Sequence, residues 1–400
     1  MTPSSWGRCK VGSAIAALAI SVVTLAACGS GGTASSSATS GPAATSAAPA
    51  AATDLSGLAA SVSAAQQVPG KIAITGQLPK APAKGIKVAL LTCSAPACSG
   101  FAPAFKQATQ ALGWDLTVLT YNSATPGQAV QNALDAGNKY IAMVAIQLST
   151  ITPQVQEAKQ KGVPLFIIAA SPTDQPQNTG NGLYGVTQGA AFDQLVGKQI
   201  ADYMIVTSQG HANIVDVVNP LFPTLAAIDQ AEKAEITKTC ASCAFASLPV
   251  SLSQIGAGQV PSLVVAYLKS HPDATYTSLT VGDFFPGLLA ALQTAGLSKQ
   301  TKIVGVNATA AEVDSLAQGQ TAGWVVTSVD DLTWITADGM ARLSLGQQIS
   351  TANLAAGDRA EGYLITTPTQ AKATQQLLAN GYWPGPAGYQ QQFEALWRVG

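Results

Sequence analysis

The chain has 400 residues, 47% of them hydrophobic and only 10% charged, against a usual charged share of about 25%. Twenty Lys and Arg against 21 Asp and Glu leave a formal charge of −1, which offers nucleic acid or an anionic membrane surface no electrostatic footprint. Two histidines, His211 and His271, argue against His-rich metal sites and His-dependent catalytic triads, and no cofactor or metal is expected.

Arg8 and Lys10 precede an apolar run from Val11 to Ala27, followed by Cys28 and a Gly/Ser stretch. A basic start, a short apolar run and small residues at the cut predict a secretory signal over 1–27. Leu25-Ala26-Ala27-Cys28 resembles the bacterial lipobox, in which the Cys is lipidated and heads the mature chain; an uncleaved anchor is the alternative. Residues 28–84 are expected to form a flexible tether, rich in Gly, Ser, Ala and Pro, with the ordered part starting near Lys87. Cys93, Cys98, Cys240 and Cys243 remain after export, and two local disulfides, Cys93–Cys98 and Cys240–Cys243, are expected. A four-Cys zinc site and a redox pair at Cys240-Ala241-Ser242-Cys243 are the alternatives.

From Lys87 the chain alternates buried strands with helices. Lys87–Thr92 reads as a strand, with a helix to Leu112 stopped at Gly113. Strand Asp115–Tyr121, helix Gly127–Ala136 and strand Tyr140–Ile146 follow, the last a continuous apolar run as in a parallel strand covered on both faces. Helix Thr152–Lys161, strand Pro164–Ala169, helix Phe192–Val206, strand Asn213–Val218 and helix Thr224–Thr237 come next. Strand Ala244–Val250, helix Gln259–Ser270, strand Tyr276–Val281 and helix Pro286–Ala295 continue the beat. Strand Lys302–Val306, helix Ala310–Ala317 and strand Gly323–Thr327 complete it. About ten βα steps predict an α/β fold of two doubly wound parallel-sheet lobes, with a closed barrel as the rival. A ligand would sit between the sheets, at the carboxyl ends of the strands.

Several segments together resemble one family, the type I periplasmic solute-binding proteins of ABC importers, in the ribose-like sugar-binding branch. They are Lys87–Trp114, ending in Leu-Gly-aromatic, and the Tyr140–Pro164 block. His271-Pro272-Asp273 followed by a strand and Gly282-Asp283, Ile303-Val304-Gly305-Val306-Asn307, and Phe393-Glu394-Ala395-Leu396-Trp397 add to the match. The resemblance implies a three-crossing hinge between a first lobe of about 85–189 plus 330–361 and a second of about 190–329 plus 362–400. The crossings would lie near Thr187–Phe192, Ser328–Asp330 and Gly362–Ile365. It implies a monomeric lipoprotein outside the cytoplasm, held to the cell membrane through lipid on Cys28. This protein would capture a small neutral solute, a sugar or polyol first, and deliver it to an ABC permease. Presentation of the solute to a membrane sensor, and binding of a less hydroxylated or apolar solute, are the alternatives.

The strand ends supply the candidate ligand contacts. They are Ser94 and Phe101 around the Cys93–Cys98 loop, with Ser99 beside them; Gln147 and Ser149; Asn219 and Phe222; Asp283 and Phe284; Asn307; and Ser328 after Thr327. A carboxylate such as Asp283 accepts two hydroxyl hydrogen bonds, and an aromatic face packs on the C–H face of a ring. Its competing role is to cap a helix opening at Pro286. Trp324 and Trp334 read as core rather than stacking platforms. Sugar-binding relatives carry Asp-Arg after the Gly-Ile-Pro strand and an Arg at the start of a helix in the second lobe. Ala169-Ala170-Ser171 stands at the first place and Ile228 about at the second; the loss of both implies an uncharged ligand and keeps the less hydroxylated alternative open beside a sugar. No catalytic residues are expected: Gly-x-Ser-x-Gly, His-Glu-x-x-His and Walker motifs are absent from the sequence.

Overall fold

In the computed structural model, residues 54–94, 98–122, 125–170, 182–348 and 362–400 are described. The signal, Cys28, residues 29–53, Ser171 and Gly180-Asn181 lie outside the described residues. The first half of the chain runs α1 (Leu55–Ala65), β1 (Lys87–Thr92), α2 (Phe101–Leu112), β2 (Asp115–Thr120), α3 (Pro126–Asp135), β3 (Tyr140–Val144), α4 (Thr152–Lys161), β4 (Leu165–Ile168), β5 (Leu183–Thr187) and α5 (Ala190–Thr207). There follow β6 (Asn213–Val218), α6 (Pro223–Thr239), β7 (Ala244–Pro249), α7 (Leu252–Gly256), α8 (Val260–Ser270), β8 (Tyr276–Leu279) and α9 (Leu288–Thr294). The chain closes with β9 (Lys302–Val306), α10 (Ala310–Ala317), β10 (Gly323–Thr327), α11 (Val329–Ser344), β11 (Gly362–Ile365), α12 (Pro368–Gln375) and α13 (Tyr389–Trp397).

Two sheets result. The first has order β2-β1-β3-β4-β5 and the second β11-β10-β9-β8-β6-β7. Every pairing is parallel except β10 with β11. This is the α/β arrangement of two sheets that the alternation implies, and parallel pairing requires crossover helices that cover both faces. Hence β3 is buried at all five residues, and β10 likewise. Local chemistry sets the helix ends. Gly113 and Gly162 end α2 and α4 at φ 68° and 62°, where a side chain would be strained. Thr309 with Glu312 forms a capping box for α10.

Two elements missing from the sequence reading are strands. Leu183–Thr187 carries Gly185, where an added Cβ would lie 2.6 Å from the Phe166 ring, so packing on β4 demands glycine in this short strand. Gly362–Ile365 joins the second sheet antiparallel at its edge.

The tether and the carboxyl-terminal assignment both need correction. Within 28–84, residues 55–65 form α1, which packs on α5 with Leu58 and Val62 in the second lobe's core. Asp54 caps it, accepting from the Gly57 amide at 3.1 Å, and Ser61 donates to Asp202 at 2.7 Å. The chain then crosses to the first lobe, where Ile74 and Leu78 are core and the Leu78 amide donates to the Leu396 carbonyl at 2.8 Å. Apolar residues at helical spacing, Leu55, Leu58 and Val62, make this a docked segment in spite of its Ala/Ser content. At the other end, α13 was expected with the second lobe, yet Tyr389, Phe393 and Trp397 belong to the first lobe's core around Trp334. The chain therefore also passes between lobes from residues 66 to 72 and from Trp383, in the second core, to Tyr389. Cys93–Cys98 and Cys240–Cys243 are joined.

Candidate functional site

The carboxyl ends of both sheets face a common cavity of about 190 Å³. Ends of parallel strands present backbone amides and short side chains to a crevice, which is where ligands settle in open α/β sheets. Cys93, Cys98 and Phe101 close the cavity at β1; Ala145, Ala169 and Gln188 border it after β3, β4 and β5. From the second sheet come Phe222 after β6, Asp283 and Phe284 after β8, and Asn307 after β9. Ser328, after β10, both lines it and caps α11, accepting from the Asp331 amide at 2.9 Å.

The backbone is strained where it meets this cavity. Ala145, Ala169, Gln188 and Asn307 have φ of 56°, 57°, 53° and 58°, a left-handed conformation costing about 1–2 kcal/mol for a residue with a Cβ. They are four of the seven described non-glycine residues so placed, and each follows a strand and lines the cavity. Tertiary hydrogen bonds hold two of them: the Ala145 amide donates to Ile168 at 2.8 Å and that of Ala169 to Thr187 at 3.1 Å. Strain gathered in this way marks a functional surface.

Six of the ten candidates from sequence meet here: Phe101, Phe222, Asp283, Phe284, Asn307 and Ser328. Four do not line the cavity. Ser94 and Ser149 are exposed, because the chain turns outward after β1 and β3. Gln147 spans the lobes at the rim, its amide donating to the Leu221 carbonyl at 3.0 Å. Asn219 is fully buried and shapes its own loop by accepting from the Leu221 amide at 2.9 Å. Asp283 does not cap a helix at Pro286: α9 opens at Leu288 behind Gly287. Ile228 faces α5 in the core, so the first turn of α6 offers the cavity Thr224 and Leu225 instead. Trp324 and Trp334 are buried at 0% and 1% exposure and are core.

Sequence reading missed Gln188, Thr309, Leu252, Ile255 and Tyr382, all of which line the cavity. Leu252 and Ile255 follow β7 and the strand-end rule reaches them. Tyr382 comes from the segment before α13, which has no periodic signal; its hydroxyl lies 3.4 Å from that of Ser99, joining the two lobes.

Among the described residues, no Lys, Arg or His lines the cavity, and Asp283 is its one carboxylate. Behind it Glu312 accepts from the Thr309 amide at 2.7 Å; burial raises its pKa, with the Asp283 charge adding to this. Next to the cavity, burial pushes Asp330 up to about 6 and Asp331 up to about 7. Among the described residues no group of three or more His, Cys, Asp and Glu is placed to hold a metal ion.

The model of the periplasmic binding protein domain family matches residues 86–348. A search of the curated proteins finds no match. Among solved structures, a 5-methylthioribose transporter solute-binding protein from Thermotoga lettingae, in complex with 5-methylthioribose, is similar at TM-score 0.60 and 18% identity, over 82% of this chain and 99% of that one. A sugar ABC transporter from Yersinia enterocolitica is similar at TM-score 0.63 and 15% identity, over 81% and 99%. A solute-binding protein from Agrobacterium vitis with bound allitol is similar at TM-score 0.60 and 15% identity, over 74% and 99%.

Proposed function

The chain belongs to the periplasmic binding protein domain family, and from that premise we propose that it captures a small neutral solute between its two lobes and hands it to an ABC import permease. The observation that carries the reading is the convergence of both sheets' strand ends, with four left-handed residues, on one cavity whose described lining holds a carboxylate and no cation. Solute hydroxyls would donate to Asp283, and the Asn307 amide and Ser328 hydroxyl would complete a polar cradle. Among the described residues that line the cavity no Lys, Arg or His stands to receive a phosphate or carboxylate, which supports a sugar or polyol class of solute.

Hinge closure would bury the solute. Gln147 with Leu221, and Ser99 with Tyr382, are the contacts that tie the lobes at the rim. On this reading the protein works outside the cytoplasm as a non-catalytic monomer, tethered by lipid on Cys28, with the closed form as the permease's cargo carrier.

Asp283→Ala tests the assignment. For whichever neutral solute stabilises the wild type, the variant loses at least a hundredfold in affinity by calorimetry, about 2.7 kcal/mol. Its melting temperature without solute stays unchanged. Undiminished affinity would remove Asp283 from the site.

A further inference from the structure

We propose that the solute is amphiphilic, with a hydroxyl-bearing head at the ends of β8, β9 and β10 and an apolar substituent, hydrocarbon or thioether, at the ends of β6 and β7. The inference rests on the solute-binding reading above and names the substrate class.

Position along the sheet edge carries it. The second sheet runs β10-β9-β8-β6-β7 inward from its edge strand β11, so the strand ends form an ordered row. The residues they give the cavity change character along that row: Thr327 and Ser328 after β10, Asn307 and Thr309 after β9, then Asp283 beside Phe284 after β8. Phe222, Thr224 and Leu225 follow β6, and Leu252 and Ile255 follow β7. Among the described residues polarity is thus concentrated at one end, with the Thr224 hydroxyl the one polar side chain these two strands give the other. At the polar end Thr327 donates to the Asn307 side-chain oxygen at 2.7 Å, which leaves that amide's nitrogen to donate to a solute. The Ser328 oxygen accepts from the Asp331 amide and keeps its hydroxyl hydrogen.

The facing wall is mainly apolar. The first lobe lends the Cys93–Cys98 bridge, Phe101, Val144, Ala145 and Ala169, with Gln188 as its polar contribution. At the apolar end Leu252 is 44% exposed and Leu221, beside Phe222, is 62% exposed. They are two of the five large hydrophobics left in water among the described residues. A single exposed leucine needs no explanation, but these two extend a lip already lined by Phe222, Leu225 and Ile255.

The dimensions suit such a solute. Neighbouring strands lie about 4.8 Å apart, so the ends of β9 and β6, two steps apart, are separated by roughly 10 Å. That span takes a five- or six-membered ring and a substituent of about four heavy atoms. A fully hydroxylated solute of that length would press hydroxyls against Phe222, Leu225 and Ile255, losing water with only the Thr224 hydroxyl there to replace it.

Calorimetry on the purified protein tests this with pentoses, hexoses and hexitols, each paired with its S-butyl or O-butyl derivative. A capped member binds at least tenfold tighter than its uncapped partner. Leu252→Ser, at an exposed site that leaves the fold intact, removes at least fivefold of that advantage. An uncapped member that binds as tightly as every capped derivative overturns the amphiphile and leaves the solute-binding reading standing. Capped binding that Leu252→Ser does not weaken also overturns the proposed placement. Silence from both halves of the panel contradicts the solute class itself and the amphiphile with it.

Discussion

Trp397→Ala lowers the unfolding free energy by about 4 kcal/mol in chemical denaturation, the cost of emptying a buried tryptophan site. Trp397 is fully buried and lies flat on Trp334, with ring centroids 5.1 Å apart and planes 7° apart; Phe393 packs at 5.5 Å. Its indole donates to Asp338 at 2.9 Å. That carboxylate also takes the Arg342 guanidinium at 2.7 Å, and Arg342 in turn donates to the Gly76 carbonyl at 2.7 Å. One side chain thus ties α13, α11 and the amino-terminal crossing segment. Burial raises the pKa of Asp338 against the pull of Arg342, so removing the indole takes one donor from a buried carboxylate and leaves it to Arg342 alone, as well as opening a cavity. Trp397→Phe keeps ring packing and loses the N–H, and costs about 1–3 kcal/mol. A loss under about 1 kcal/mol for the alanine variant would show that α13 is not part of the first lobe's core.

Stability falls as pH rises from about 5 to 8, and Glu232→Gln flattens that slope. Asp216 on β6 and Glu232 on α6 are both fully buried. Neither Asp216 oxygen has a hydrogen-bond partner, and Glu232 has the Ser278 hydroxyl at 3.1 Å on one oxygen only. The nearby cation Lys198 is engaged by Asp202 and Glu235 instead. Burial pushes Glu232 up to about 8, and burial with the Glu232 charge holds Asp216 well above the usual carboxylate range.

The sign follows from proton counting. Below about pH 4 both carboxyls are protonated folded and unfolded, and they contribute no pH dependence. Above it the unfolded chain gives up protons that the folded chain retains, so the folded state loses about 1.4 kcal/mol per pH unit for each such group until its folded pKa is reached. Asp330 and Asp331, raised in the same direction, add to the fall, so the difference between wild type and variant is what isolates the pair. Glu232→Gln gains on the order of 3 kcal/mol at pH 8 relative to its effect at pH 4. Equal slopes for the two proteins would contradict a proton held in this pair.

Long buried runs made the architecture legible. Tyr140–Val144, Asn213–Val218 and Gly323–Thr327 have no other economical reading, and once strands are placed their carboxyl ends point to Phe101, Asp283, Asn307 and Ser328. Short or small-residue elements were opaque. β5 has five residues and a glycine fixed by the Phe166 ring. α1 shows only two buried side chains, too few to stand out from an Ala/Ser-rich stretch. Orientation was the other loss. Ile228 and Thr224 share a helix, and which of them meets the cavity depends on how α6 lies on α5, a tertiary fact absent from local pattern. Gln147 and Asn219 sit at strand ends as predicted, yet act on the loop that carries Leu221.

The most direct test of the central claim is a thermal-shift titration of the purified protein with neutral sugars, polyols and their alkylated derivatives, beside phosphate- and carboxylate-bearing analogues. A bound solute at 100 times its Kd adds about 2.7 kcal/mol, a visible rise in melting temperature. A neutral solute raises it, its anionic analogue does not, and Asp283→Ala abolishes the rise. A rise produced only by anionic solutes, or one that survives in Asp283→Ala, would contradict a neutral-solute site between the lobes.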